Sequence, residues 1–331
     1  MSSILVAGGA GYIGSHASQA LRDAGHDVVC YDNLSTGHRE ALLGGTFVEG
    51  DIRDIDLVRR TLRQHRVTAV MHFAALLSVP ESVVDPVGYY RNNVTGTLAL
   101  LEAMVAESVG AFVFSSTAAV YGTPERMPMT EEHPTWPVNT YGETKLAIER
   151  ALPHYERAYG VRAVSLRYFN ASGADPAGRL GEAHHPETHL IPRALTAVTG
   201  GPPLDIFGDD YPTPDGTCVR DFIHVTDLAD AHVRALNWID DGGASGSYNV
   251  GTGRGESVQK VVETVAGVTG RPVPTAVGPR RTGDPSALVA ASDRIQRELA
   301  WTPSHSDLKE IVESAWRWHQ SGWRGAAGGA G

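Results

Sequence analysis

The stretch Ser3-Ile-Leu-Val-Ala-Gly8-Gly-Ala-Gly11-Tyr-Ile-Gly14-Ser-His16 opens the chain with an apolar run, a glycine-rich turn and the start of a helical pattern. Ser3–Ala7 reads as a strand and Tyr12–Ala24 as a helix. Gly8, Gly11 and Gly14 permit a tight turn, close backbone approach to a pyrophosphate, and close helix–strand packing. The free N–H groups and partial positive charge of the helix start favour a bound anion. A second strand, Val28–Tyr31, is followed by Asp32, which lies 24 positions after Gly8. That is where a carboxylate grips an adenosine ribose. An acid there favours NAD, since it would repel a 2′-phosphate.

Outward from this unit, apolar runs alternate with helical periods. Strands are expected at 46–49, 69–72, 111–115 and 163–167, with helices at 55–64, 88–107 and 141–159. This order implies a doubly wound α/β fold, a Rossmann-type parallel sheet covered on both faces. Residues 171–220, rich in Gly, Pro, Asp and His, read as long ligand-covering loops. Helical periods return at 228–238, 258–268, 293–299 and 308–318, and there is no internal repeat. The expected division is a dinucleotide-binding domain over 1–170 and a smaller C-terminal α/β substrate domain over 171–324. Residues 325–331, all Gly and Ala, read as a tail without fixed structure.

Composition excludes some functions. The 331 residues carry 28 Lys and Arg against 38 Asp and Glu, a formal charge of −10, which argues against a nucleic-acid partner. No apolar run approaches the roughly 20 residues that span a bilayer. The two cysteines, Cys30 and Cys218, make no disulfide framework, and residues 1–30 do not read as a secretion signal. A cytoplasmic protein is expected. His184-His-Pro-Glu-Thr-His189 fits no standard zinc spacing and reads as a loop, so no metal is expected.

Lysine is scarce: Lys145, Lys260 and Lys309 are the only three. One of them lies four residues after a tyrosine in Tyr141-Gly-Glu-Thr-Lys145, on one face of a predicted helix. A buried cation beside a phenol favours the phenolate, so the pair can serve as a base near neutral pH. Phe114-Ser-Ser-Thr117 ends a strand, where its hydroxyls suit either a substrate oxygen or, more commonly, turn chemistry.

With these residues in place, the chain resembles the extended short-chain dehydrogenase/reductase family, and within it the UDP-glucose 4-epimerase branch, over roughly residues 3–320. The stretches that carry the resemblance include Gly8–His16, Asp32–Leu34, Glu49–Ile52, His72–Ala74, Tyr89–Thr97, Thr117–Gly122, Tyr141–Lys145, Leu166–Asn170, Asp205–Gly208, Asp210–Thr217, Val219–Val225 and Arg280–Asp284. The resemblance implies an NAD-dependent enzyme that interconverts UDP-galactose and UDP-glucose through a 4-keto sugar. Tyr141, Lys145 and Thr117 would be its catalytic groups. Cofactor contacts would come from Gly8, Gly11, Tyr12, Ile13 and Gly14, then from Asp32, Asn33, Leu34, Ser35, Thr36 and Gly37. Asp51 and Ile52 would touch the adenine. Phe73, Ala74, Ala75 and Leu77 would line the pyrophosphate path, joined by Asn92, Ser115, Tyr141, Lys145 and Phe169. The UDP-sugar would meet Thr117, Asn170, His189, Leu190, Phe207, Arg220, Arg281, Asp284 and Leu288. Relatives also imply a homodimer through helices 88–107 and 141–159.

The sequence departs from the family pattern at four places. Leu77 stands where a lysine is common, His189 replaces an asparagine, Phe222 replaces a tyrosine, and Leu288 occupies a sugar-pocket position that can hold tyrosine. The smaller Leu288 suggests room for 2-N-acetylated UDP-sugars. Nucleotide-sugar dehydratases place Asp-Glu after the strand-end Thr to eliminate a 6-hydroxyl. Here Ala118-Ala119 follow Thr117, while a UDP-pentose epimerase stays open. A non-enzymatic NAD sensor could dispense with the Tyr/Lys pair, which is present.

Overall fold

The computed structural model describes residues 2–281 and 283–323; the expected tail at 325–331 lies outside them. The first sheet takes seven parallel strands: β1 (Ser3–Ala7), β2 (Asp27–Asp32), β3 (Thr46–Glu49), β4 (Val67–His72), β5 (Ala111–Ser115), β6 (Arg162–Tyr168) and β11 (Gly246–Val250). Their spatial order is β11-β6-β5-β4-β1-β2-β3. The order reverses between β1 and β4, so a crevice opens beyond their C-terminal ends.

Helices cover both faces of the sheet. They are α1 (Tyr12–Asp23), α2 (Ile55–Gln64), α3 (Val79–Val84), α4 (Pro86–Tyr89), α5 (Thr97–Ala106), α6 (Thr140–Tyr159) and α8 (Val225–Asp240). Alternate residues of β1 enter opposite cores. Ile4 and Val6 join Leu21 of α1 and Leu228 of α8, whereas Leu5 and Ala7 join Val58, Leu100 and Ile148. That alternation explains why the strands read as continuous apolar runs. The helix expected over 88–107 is interrupted by a wide π-type turn at Tyr90–Gly96, which lies beside α6.

Residues 171–220 hold more regular structure than the expected loops: β7 (Asn170–Ser172), α7 (Leu190–Val198), β8 (Leu204–Phe207) and β9 (Val219–Arg220). These strands have two to four residues, too few to show a period, and Pro192 in the first turn of α7 masks its helical pattern. The remaining elements are β10 (Phe222–His224), β12 (Glu256–Ser257), α9 (Val258–Thr269), β13 (Thr275–Gly278), β14 (Ala287–Leu288), α10 (Asp293–Leu299) and α11 (Leu308–Gln320). A separate core of Ile191, Val261, Val265, Ile311 and Val312 unites α7, α9 and α11. The chain returns to the first sheet through α8 and β11, after residue 170. Among the described residues no helix is long and apolar enough to cross a membrane. Both cysteines are free and buried.

Two glycines offer opposite tests of this packing. A Cβ on Gly14 would lie 2.1 Å from the Gly8 carbonyl oxygen, whereas Gly267 of α9 has nothing within 4 Å. Gly14→Ala should destabilise by about 1–3 kcal/mol through overpacking. Gly267→Ala should stabilise by about 0.5–1 kcal/mol. Urea unfolding of both variants checks the contrast, and equal effects would contradict it.

Candidate active site

The crevice at the strand reversal is built by the glycine turn. Gly8, at φ +80°, is pressed so closely on the β4 end that a Cβ would lie 2.5 Å from the Ala74 nitrogen. Ala7 accepts backbone hydrogen bonds from Phe73 (2.7 Å) and Ala74 (3.0 Å), locking the two strand ends together. Gly11 caps α1 without a side-chain hydrogen bond. The first amides of α1, at Tyr12, Ile13 and Gly14, precede the first helical bond, from Ser15 to Gly11 at 2.9 Å. They are the open donors of a helix start. Such a cradle fits a dinucleotide pyrophosphate.

Asp32 stands at the other end of this cleft. Its carboxylate accepts the Ala10 amide at 2.9 Å and the Leu34 amide at 2.8 Å. Burial pushes its pKa up, and the two amides oppose that shift. Each oxygen keeps a lone pair for a ribose hydroxyl. Besides Asp32, the cleft wall includes Asn33, Ser35, Thr36, Gly37, Ile52, Phe73, Ala74, Ala75, Leu77, Asn92 and Phe169. Three expected contacts lie outside the wall. Leu34 sits in a turn at φ +56°, with its amide given to Asp32. Asp51 accepts from Arg53 Nε at 2.7 Å and from its Nη2 at 2.6 Å. The Ser115 hydroxyl pairs with His232 Nε2 at 2.8 Å.

Thr117, Tyr141 and Lys145 meet on the cleft floor. Helix α6 carries the last two, and Asn139 caps it by accepting the Gly142 amide at 2.8 Å. Lys145 Nζ donates to the Ser115 carbonyl at 2.8 Å and lies 5.9 Å from the Tyr141 ring centre. Burial drives the Tyr141 phenol well above its usual value, with Thr117 opposing. Burial also lowers the Lys145 ammonium to about 7, opposed by the charge of Glu149. Desolvation thus outweighs neighbouring charge at both groups, and Nζ is turned to a carbonyl.

Sequence reading missed the groups that fix this floor. Glu149, one turn beyond Lys145, accepts from Arg167 Nε at 3.0 Å and from the Ser116 hydroxyl. Arg167 also donates to the Tyr121 hydroxyl at 3.0 Å, and Tyr121 donates to Asn249 at 2.6 Å. This buried network ties the end of β5 to α6. The i+4 spacing from Lys145 to Glu149 was the available signal. Asn93, in the wide turn, joins the Leu76 carbonyl at 3.0 Å to the Thr144 hydroxyl at 3.1 Å.

A second cleft continues from the first through shared walls at Asn170, Ala171, Glu182 and His189. Leu190, Phe207, Arg220, Arg281 and Asp284 line it. The Arg281 guanidinium covers the Phe207 ring at 3.7 Å. Arg220 pairs with Asp284. Pairing of β7 with β10 sets Asn170 opposite Phe222. Leu288 lines neither cleft and instead contacts the apolar cluster of Val120, Tyr121, Met129 and Leu146. At the junction, the carboxyl of Glu182 is held below its usual range by His189 and His184 despite burial.

A turn of glycine amides, a buried acid at the end of β2 and a Tyr/Lys pair define a nicotinamide-dinucleotide enzyme of the Rossmann class. Residues 4–251 match the NAD dependent epimerase/dehydratase family, and the chain belongs to that family. The chain is 53% identical to the UDP-glucose 4-epimerase of Azospirillum brasilense, over 99% of this chain and 96% of the relative. The solved UDP-glucose 4-epimerase of Brucella ovis, in complex with NAD, has TM-score 0.94 and 50% identity, covering 96% of this chain and 98% of that one. The Bifidobacterium longum enzyme, in complex with NAD+ and UDP, has TM-score 0.91 and 38% identity, covering 97% and 99%.

Two measurements probe the floor. The folded Lys145 pKa of about 7 lies below its ordinary 10.5, so between these values the unfolded chain binds the extra proton. Stability of the cofactor-free protein should then rise with pH above 7 relative to Lys145→Met. A pH-independent Tm difference would contradict this. The Glu149–Arg167 side chains are 4% and 9% exposed. Glu149→Gln should cost about 3–5 kcal/mol, because Arg167 stays buried without its partner. Glu149→Met with Arg167→Met should recover most of that loss in denaturant unfolding.

Proposed function

We propose that this chain interconverts UDP-galactose and UDP-glucose by reversible oxidation at sugar C4, with NAD as a resident cofactor. The observation that carries the reading is the continuity of the two clefts, with Tyr141, Lys145 and Thr117 on the floor of the first. NAD, when bound, supplies a reversible hydride acceptor for C4 and a positive ring charge that favours the phenolate.

The chain's own residues then have distinct tasks. Thr117 bonds the 4-oxygen, and Tyr141 takes the 4-hydroxyl proton and later returns it. Lys145 holds the phenolate by charge. Arg220 and Arg281 suit the diphosphate, since a guanidinium can bind two oxygens at once. Phe207, already under a guanidinium, offers a face for uracil. The 4-keto sugar turns between loss of hydride from C4 and its return to the opposite face, so the second cleft must hold the nucleotide while the sugar stays loose. Elimination chemistry is disfavoured because Ala118 and Ala119 follow Thr117 and offer no acid or base.

The homodimer expected from relatives is supported by an apolar outer face on α3, α4 and the following turn. Val83, Val84, Val87 and Tyr90 are 65%, 86%, 64% and 46% exposed. A cytoplasmic location agrees with two free thiols, which a reducing compartment preserves.

Purified protein should convert UDP-galactose to UDP-glucose without added NAD. Tyr141→Phe should retain fold and cofactor absorbance while kcat falls about 10²–10⁴-fold. No interconversion by cofactor-loaded wild type would overturn the activity, and an unchanged rate in Tyr141→Phe would remove Tyr141 from its role. Parallel assays with UDP-N-acetylglucosamine and a UDP-pentose decide how wide the sugar pocket is.

A further inference from the structure

The junction between the two clefts holds four ligand-type side chains, of which His189 alone was expected at the UDP-sugar. Glu182, His184, Glu187 and His189 each offer one ligand atom, and all these atoms lie within 4.8 Å of one another. Sequence spacing alone pointed to a plain loop, because Glu182 and Glu187 become relevant only when the loop folds back.

The donors interleave. His189 Nδ1 lies 2.6 Å from Glu182 Oε1 and 3.0 Å from Glu187 Oε1. His184 Nδ1 lies 3.0 Å from Glu182 Oε1 and 3.9 Å from Glu187 Oε2. Each Nδ1 carries at most one hydrogen, yet two carboxylates face each nitrogen. The two imidazoles bring at most two Nδ1 hydrogens to these four contacts, and against burial the carboxylates raise the His189 pKa to about 10. Ligands about 2.0–2.2 Å from a tetrahedral ion lie roughly 3.3–3.6 Å apart, so an ion entering here opens the three shorter contacts by a few tenths of an ångström and draws in the fourth.

The frame around the four groups is already rigid. Trp318 Nε1 donates to the Glu182 carbonyl at 2.9 Å, and His38 Nε2 bonds the Ala183 carbonyl at 2.9 Å. The two imidazoles lie 5.1 Å apart, and Tyr12 meets His184 edge-on. The Glu182 side chain is 6% exposed. Two glutamates and two neutral imidazoles balance one doubly charged cation. That neutrality matters beside clefts meant for two diphosphates, which bare carboxylates would repel.

We propose that Glu182, His184, Glu187 and His189 form a four-ligand site for a divalent transition ion of the zinc class, which clamps the 182–189 loop at the cleft junction. Mixed imidazole and carboxylate donors without thiolate suit zinc and its neighbours. With each Nδ1 on the ion, Nε2 of both histidines remains a donor for other partners. No ligand atom is left for substrate, so the site is structural.

The test uses full-length, untagged protein stripped with chelator and then dialysed against Zn2+. Elemental analysis should find one zinc per wild-type chain and background in Glu182→Gln/His184→Gln. Cobalt loading of the wild type should give the visible bands of a four-coordinate ion without thiolate charge transfer. Added zinc should raise the wild-type Tm and leave the variant unchanged. Wild type that retains no more metal than the variant would overturn the site. So would a thiolate signature, which would move the ion to Cys30 or Cys218. If the variant does not fold, the wild-type stoichiometry and cobalt spectrum decide alone.

Discussion

The contact between Gly14 and the Gly8 carbonyl governs the architecture. Only a residue without Cβ lets the first turn of α1 sit directly on the glycine loop, since an added Cβ would lie 2.1 Å from that oxygen. The same loop is pressed on the β4 end at Ala74. Together these approaches bring an uncapped helix start to the sheet's reversal point. The open amides, the Asp32 carboxylate and the Tyr141–Lys145 floor are then arranged around one crevice.

Electrostatics in that crevice is local. The chain carries a formal −10, yet its two clefts present an open helix start and the guanidinium groups of Arg220 and Arg281. The floor is dry enough that burial dominates both Tyr141 and Lys145, pushing the phenol up and the ammonium down. Each shift disfavours charge. Ligand charge entering the cleft is what changes that balance. The Glu149–Arg167 pair holds the geometry while leaving the Lys145 nitrogen bonded only to a backbone carbonyl.

Legibility followed length and locality. The strands at 3–7 and 111–115 and the helices at 55–64 and 293–299 agree with their expected limits because their patterns are strong and uninterrupted. The short strands at 170–172 and 219–220 have no period to read. Helix α7 was hidden by its early proline, and the wide turn at 90–96 has helical composition but different pitch. In the site, the Tyr141–Lys145 pair was readable from local spacing, whereas Thr117 was expected only from the family resemblance. Arg167, 18 positions from Glu149, was not, since nothing local marks its partner. Leu288 was expected in the sugar pocket but pairs alongside Arg220 in a small sheet and presents itself to an apolar cluster.

Local sequence by itself determined the alternation of strands and helices, the glycine turn, the ribose acid and the Tyr/Lys spacing. Each of these depends on neighbours within a few residues, where backbone geometry dictates which side chains share a face. Tertiary structure alone decided the return of residues 246–250 to the first sheet, the buried Glu149–Arg167 network, and the convergence of Glu182 with His184, Glu187 and His189. Those features depend on desolvation and on contacts between distant segments, which arise only when the chain closes on itself.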